Sequence, residues 1–240
     1  MTRPVDREHP RVPAAPTAVG QDGGGGAQPA APGPGRHVPH GPGPGRPTVG
    51  PDLLDGLADW RPVPTRAGVL RLLPVVLERD LALLSSWMND PVVAAFWELS
   101  GPPSVTERHL GSQLAGDGRS IPCLGLLDGT PMSYWEIYRA DLDPLARHYP
   151  ARPHDTGVHL LVAGASRRGR GLGSLLLGAV SEQILRHRPD CTRIVAEPDR
   201  RNTASVAAFR RAGFRLAAEV ALPDKTAALM IRDRSPCAPP

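Results

Sequence analysis

The stretch Val158-His159-Leu160-Leu161-Val162-Ala163, followed after three residues by Arg167-Arg168-Gly169-Arg170-Gly171-Leu172-Gly173, decides how this chain is read. The first six residues are a short apolar run of strand length. The next seven form a basic, glycine-rich turn. From there Leu172, Leu175, Leu176, Ala179, Val180 and Ile184 recur at helical spacing, so the unit is strand, turn, helix. Glycines at 169, 171 and 173 let backbone N–H groups approach a ligand closely, and the helix N-terminus adds partial positive charge. Three arginines in the same turn complement phosphates. The turn is too short for a P-loop, lacks the required Lys-Ser/Thr pair, and does not space its glycines as G-x-G-x-x-G.

Outward from this unit, Val69–Leu73 reads as an opening strand, and Leu81, Leu84, Trp87 and Met88 follow Asp80 at helical spacing. Ser104 and Glu107 have capping-box spacing and predict a second helix over 105–115. Ile121–Leu127 and Met132–Tyr138 flank Asp128-Gly129, the signature of a hairpin. After the glycine-rich unit come a strand at 193–197, a helix begun by Asn202 and ended at Gly213, and two strands at about 215–221 and 226–232. The order βααββ–βα–βα–ββ predicts an α/β fold, a central mixed sheet flanked by helices.

Composition divides the 240 residues unevenly. Residues 1–51 hold 12 Pro and 11 Gly but no Leu, Ile, Phe, Trp or Tyr. Such a segment cannot bury enough apolar surface to offset its ordering entropy. The division expected is a disordered Pro/Gly-rich tail and linker at 1–65, one domain at 66–234 and a flexible C-terminus at 235–240. The net charge of +4 is mild and interspersed with acids, which suits an anionic small ligand and argues against nucleic acid as a partner. The three cysteines form no metal or redox pattern, so no metal is implied and a cytoplasmic setting is expected. No apolar run approaches membrane-spanning length.

Arg168-x-x-Gly171-x-Gly173 resembles the pyrophosphate turn of the GNAT acyltransferases. Asn202 stands seven residues before Phe209 and eleven before Gly213-Phe214, which resembles that family's N-x₆-[YF]-x₃-G-F helix. The resemblance implies acyl-CoA as co-substrate. Its pyrophosphate would lie on the turn formed by Arg168, Gly169, Arg170, Gly171, Leu172, Gly173 and Ser174. Its pantetheine would run between strands 158–163 and 193–197, past Leu161, Val162 and Asn202.

Further stretches narrow the branch. Trp87-Met88-Asn89-Asp90-Pro91 with Phe96-Trp97, Tyr134-Trp135-Glu136-Ile137-Tyr138, Asp155-Thr156-Gly157-Val158-His159, Glu197-Pro198-Asp199 and Leu222-Pro223-Asp224-Lys225 resemble the acyltransferases of siderophore biosynthesis. These acylate N-hydroxylated lysine, ornithine or cadaverine to hydroxamates. The resemblance covers about 66–234. It implies His159 as the catalytic base, with Glu197 or alternatively Asp199 assisting. It also implies a functional link to an amine N-monooxygenase and a siderophore synthetase. On residue grounds alone, a histidine in an apolar strand reads first as a hydrogen-bonded core residue, and only the resemblance reverses that reading.

The chemistry is consistent with an N-hydroxylated acceptor. A lysine amine, with pKa near 10.4, is protonated at neutral pH, whereas a hydroxylamine is far less basic and arrives neutral. A single histidine of ordinary pKa then suffices as base. Period-2 alternation puts Tyr134, Glu136 and Tyr138 on one face, where Glu136 is a candidate to hold an acceptor amine. Trp97, Trp135 and Lys225 complete the candidate acceptor contacts. Phe209 stands where many GNATs carry a tyrosine acid, and it has no proton to give. Two other functions fit less well: an aminoglycoside or other small-amine acetyltransferase, and a non-catalytic acyl-CoA-binding subunit.

Overall fold

Asp128 and Gly129 both adopt positive φ, 48° and 77°, so the tight turn that their sequence predicts joins Ser120–Leu127 (β3) to Thr130–Arg139 (β4). In the computed structural model, described here for residue 54 and residues 56–235, this hairpin lies inside one eight-stranded mixed sheet. The other strands are Val63–Thr65 (β1), Gly68–Pro74 (β2), Thr156–Val162 (β5), Arg193–Ala196 (β6), Arg215–Ala221 (β7) and Thr226–Asp233 (β8). Their order is β1-β2-β3-β4-β5-β6-β8-β7. Every pairing is antiparallel except β5 with β6.

Helices cover both faces. Leu77–Met88 (α1), Pro91–Trp97 (α2) and Pro103–Leu114 (α3) supply Leu84, Met88, Val93 and Leu110, which pack with Leu124, Tyr134, Leu161 and Ala163. On the opposite face Leu172–His187 (α4) and Thr203–Arg211 (α5) supply Leu176, Val180, Ile184 and Phe209 against Trp135, Ile137, Val158 and Ile194. Alternation along β4 and β5 divides these two cores, as a period of two requires. Local chemistry sets the helix starts. Asp80 takes the Val76 N–H at 2.9 Å, Asp90 takes that of Val92 at 2.9 Å with Pro91 next, and Asn202 takes that of Ser205 at 3.0 Å.

The fold expected from the sequence is present, with four corrections. The Ser104–Glu107 capping box does not form: α3 begins at Pro103 with no side-chain cap, because Pro supplies a preset φ and removes one orphan N–H. Helix α2 and strand β1 were not expected. The domain also starts before residue 66. Leu54, Leu57 and Trp60 are buried in the α4–α5 core, Trp60 stacks on His187 at 5.0 Å, and β1 pairs with β2. The tail and C-terminal expectations for residues 1–53 and 236–240 lie outside the described residues. No helix among the described residues is long and apolar enough to cross a membrane.

Candidate active site

Strands β5 and β6 pair only at Thr156↔Ile194 and Gly157↔Val195. Beyond Gly157 they are no longer paired, and a cleft opens there between the two strands. One end of the cleft is lined by the 167–174 turn, Leu160–Val162, Asn202, Ser205 and Phe209. The other end is lined by His109, Glu136, His159, Glu197 and Lys225. Phe96, Trp97, Leu160, Asn202, Ser205 and Phe209 line both, so the two ends are continuous.

The glycine-rich end fits a pyrophosphate. Gly169 and Gly171 each sit at φ 75°, a left-handed geometry that an L side chain resists. This turn aims the first N–H groups of α4, those of Leu172, Gly173 and Ser174, outward from the helix, where no intrahelical acceptor exists for them. Not every expected contact is available. Arg168 directs its guanidinium to Asp90, the cap of α2, and its Nε to the Val162 carbonyl at 3.2 Å. It therefore clasps α2 to the turn, because a free cation beside an exposed carboxylate finds that partner first. Arg170 is exposed and does not line the cleft. Asn202 lines it but uses its side-chain oxygen to cap α5.

At the other end a chain of hydrogen bonds runs from β4 through β5 to the residue that follows β6. His159 Nδ1 lies 2.7 Å from Glu136 Oε2, and its Nε2 lies 2.5 Å from Glu197 Oε1. The Tyr138 hydroxyl donates to the other Glu197 oxygen at 2.7 Å. The second oxygen of Glu136 accepts from Tyr134 at 2.9 Å and Gln113 at 2.8 Å, and meets His109 Nε2 at 2.6 Å. Burial alone would strip the His159 proton. The negative charge of Glu197 and the hydrogen bonds to both carboxylates outweigh burial and raise the pKa to about 10. Burial likewise opposes ionisation of Glu136 and Glu197, yet their histidine partners hold both well below the usual carboxylate range. The geometry and charge of the site favour an imidazolium between two carboxylates. The expectation of a histidine of ordinary pKa is thereby corrected.

Glu197, and not Asp199, reaches His159; Asp199 is bound to Arg201 at 2.6 and 2.9 Å. Trp97 presents an edge to His159 at 6.2 Å and lines the cleft. Tyr138 packs on the His159 ring at 4.9 Å, and Lys225 lines the cleft beside Asp224. Two expected acceptor contacts are corrected. Trp135 points to the opposite core, fully buried, because alternation from Glu136 turns it away; its Nε1 donates to Ser133 at 3.0 Å. Tyr134 is on the right face but fully buried beneath Trp97, so it supports Glu136 and does not reach the cleft. Sequence reasoning missed His109 and Gln113. Their i, i+4 spacing in α3 was the available signal, but nothing local pairs them with Glu136 on β4.

Residues 76–222 match the family profile of the acetyltransferase (GNAT) domain. The chain belongs to the GNAT acetyltransferase family. Among curated GNAT relatives, the lysine N-acyltransferase MbtK of Mycolicibacterium paratuberculosis is 37% identical over 140 residues, 58% of this chain and 63% of that protein. The N(6)-hydroxylysine O-acetyltransferase of Escherichia coli is 36% identical over 155 residues, 65% of this chain and 49% of that protein. The chain thus spans less than two thirds of either relative. These names carry the resemblance to acyltransferases of lysine and N-hydroxylysine. Among solved structures, an uncharacterized protein from Bacillus halodurans superimposes with TM-score 0.68 at 36% identity, covering 72% of this chain and 89% of the other. The aminoglycoside acetyltransferase AAC(6')-Ib, bound to acetyl-CoA and an aminoglycoside, superimposes at 0.62 with 29% identity, covering 69% and 93%.

Proposed function

We propose that this GNAT protein transfers an acyl group from acyl-CoA to the hydroxylamine nitrogen of an N-hydroxylated lysine, ornithine or cadaverine, forming a hydroxamate for siderophore biosynthesis. The observation that carries this reading is His159 locked between Glu136 and Glu197, holding its proton to about pH 10. Such a site offers no neutral imidazole to deprotonate an alkylammonium, whose pKa is near 10.4. It suits an acceptor that arrives neutral, as a hydroxylamine does. The name of the E. coli relative gives an N-hydroxylysine acceptor, and that of the mycobacterial relative gives the lysine skeleton.

In this reading the acceptor nitrogen attacks the thioester carbonyl, the N–C bond forms and the C–S bond breaks. The nitrogen's proton passes to the Glu197 carboxylate, the His159 imidazolium gives its proton to the departing thiolate, and the proton on Glu197 then passes back to His159; Phe209 cannot protonate the thiolate. The N–H groups at the start of α4 hold the pyrophosphate of the donor. A monooxygenase acting on the amine would supply the acceptor, and a siderophore synthetase would consume the hydroxamate. We place the reaction in the cytoplasm, consistent with Cys123 and Cys191 as free buried thiols.

One observation favours a second reading. Glu136, Glu197, Asp199 and Asp224 line the acceptor end of the cleft, which would attract a polycationic aminoglycoside. A CoA-release assay from pH 6 to 10 with paired amines and hydroxylamines separates the two. The hydroxylamine should react far faster at pH 7, and the amine rate should climb with pH. Equal rates at pH 7 would replace the hydroxamate reading with the small-amine one.

A further inference from the structure

His109 stands on α3, outside the short motifs that carry the resemblance, and yet it reaches the chemical centre. It lies one helical turn from Gln113 and beside buried Thr106 and Leu110, so the pair flanks the face that α3 presses on the sheet. Both contact Glu136 Oε1, at 2.6 Å from His109 and 2.8 Å from Gln113. Gln113 is itself fixed by the Ser120 hydroxyl, which donates to its Oε1 at 2.8 Å. The other oxygen of Glu136 holds Nδ1 of His159. We propose that His109 is a positioning residue for acyl transfer, acting through Glu136 to fix the His159 ring against Glu197.

The physical argument is one of orientation. Glu136 is almost fully buried, and a carboxylate there rotates about its last torsion unless both oxygens are engaged. Tyr134, Gln113 and His109 converge on Oε1, and His109 makes the shortest of the three contacts. With Oε1 pinned, Oε2 has one direction left, and it aims at Nδ1 of His159. Nε2 is then 2.5 Å from Glu197, the second carboxylate of the site. The titratable groups facing this chain are Glu136, Tyr134 and Tyr138 from β4, His159 from β5 and Glu197 after β6. Asp143 and Lys225 add charge at longer range.

The test uses the full chain and the variants His109→Ala and His109→Gln. The inference rests on acyl transfer at His159 and not on the acceptor's identity, so turnover is read on whichever acceptor the wild type acylates fastest. His109→Ala should lower kcat roughly 10–100-fold, the scale of a small misplacement, with KM for acyl-CoA within about twofold. His109→Gln keeps a donor and should recover most of the loss. An acceptor-free readout accompanies this: the downfield ring N–H proton of His159 in the proton NMR spectrum. It should be protected from exchange in wild type and His109→Gln, and broadened by exchange in His109→Ala. Wild-type kcat or an unchanged His159 resonance in His109→Ala would overturn the inference. Equal impairment of both variants, with acyl-CoA binding lost, would also overturn it by showing a purely structural role.

Discussion

Between two carboxylates, His159 exchanges the behaviour of a free imidazole for that of a buried ion, and its linkage to stability follows. Its folded pKa, about 10, lies above the unfolded value near 6.5, so the folded state binds the proton more tightly. The stabilisation is complete below about pH 6.5 and is lost as pH rises toward 10. Glu136 and Glu197 have lowered pKa values, so their contribution is present above the usual carboxylate range and lost on acidification. Denaturant melts of wild type and His159→Gln from pH 5 to 10 should therefore show a stability gap that narrows across pH 6.5–10. A gap independent of pH would contradict the bound proton. In turnover, His159→Ala should lose roughly 10²–10⁴-fold in kcat while still binding acyl-CoA by calorimetry. Much of this was legible by resemblance, which pointed to His159 and Glu197. The raised pKa was not, because it needs Glu136 and Glu197 brought from 23 and 38 residues away.

At the scale of elements, the spacing of strand, turn and helix was readable because periodicity and glycine placement are local signals. What those elements do to each other was not. Gly157 illustrates this: the sequence presents it only as a member of a family-like stretch, while the β4–β5 register sets it opposite Tyr138. A Cβ there would lie 2.1 Å from the tyrosine ring, so glycine is what lets Tyr138 lie across β5 and reach Glu197. Gly157→Ala should destabilise the fold by about 1–3 kcal/mol through overpacking, and should lower kcat by displacing Tyr138. Nearby Asp155, from the same stretch, is a scaffold residue: it is fully buried and held by Arg193 at 2.6 and 2.8 Å and by the Tyr149 hydroxyl at 2.9 Å. The clasp between Asp90 and Arg168 joins α2 to the donor turn in the same hidden way. If that clasp shapes the donor site, Asp90→Ala and Arg168→Ala should each weaken acyl-CoA binding, and the double variant should lose no more than the worse single one. Fully additive losses in calorimetry would instead separate the two residues.

For the whole molecule the informative boundary is the start of the core. Composition put residues 1–65 together because Pro and Gly dominate up to residue 51 and no strong periodicity follows before Val69. Three residues in that interval nevertheless belong to the α4–α5 core: Leu54, Leu57 and Trp60 are 4%, 3% and 8% exposed. Gln183 of α4 donates to the Arg61 carbonyl at 2.7 Å, and β1 extends the sheet beside β2. Removing a buried Leu side chain alone costs roughly 2–5 kcal/mol, and a buried aromatic roughly 3–5. Against a total stability on the order of 5–15 kcal/mol, losing all three removes a large share. Two truncations therefore separate composition from packing. Deleting residues 1–51, which contain no large aliphatic or aromatic side chain, should leave Tm and acyl transfer unchanged. Deleting residues 1–65 should lower Tm by at least about 14 °C, taking about 2–4 °C per kcal/mol for a domain of this size, or leave the protein insoluble. Scanning calorimetry of the two proteins decides between them: equal melting temperatures would return residues 54–65 to the linker.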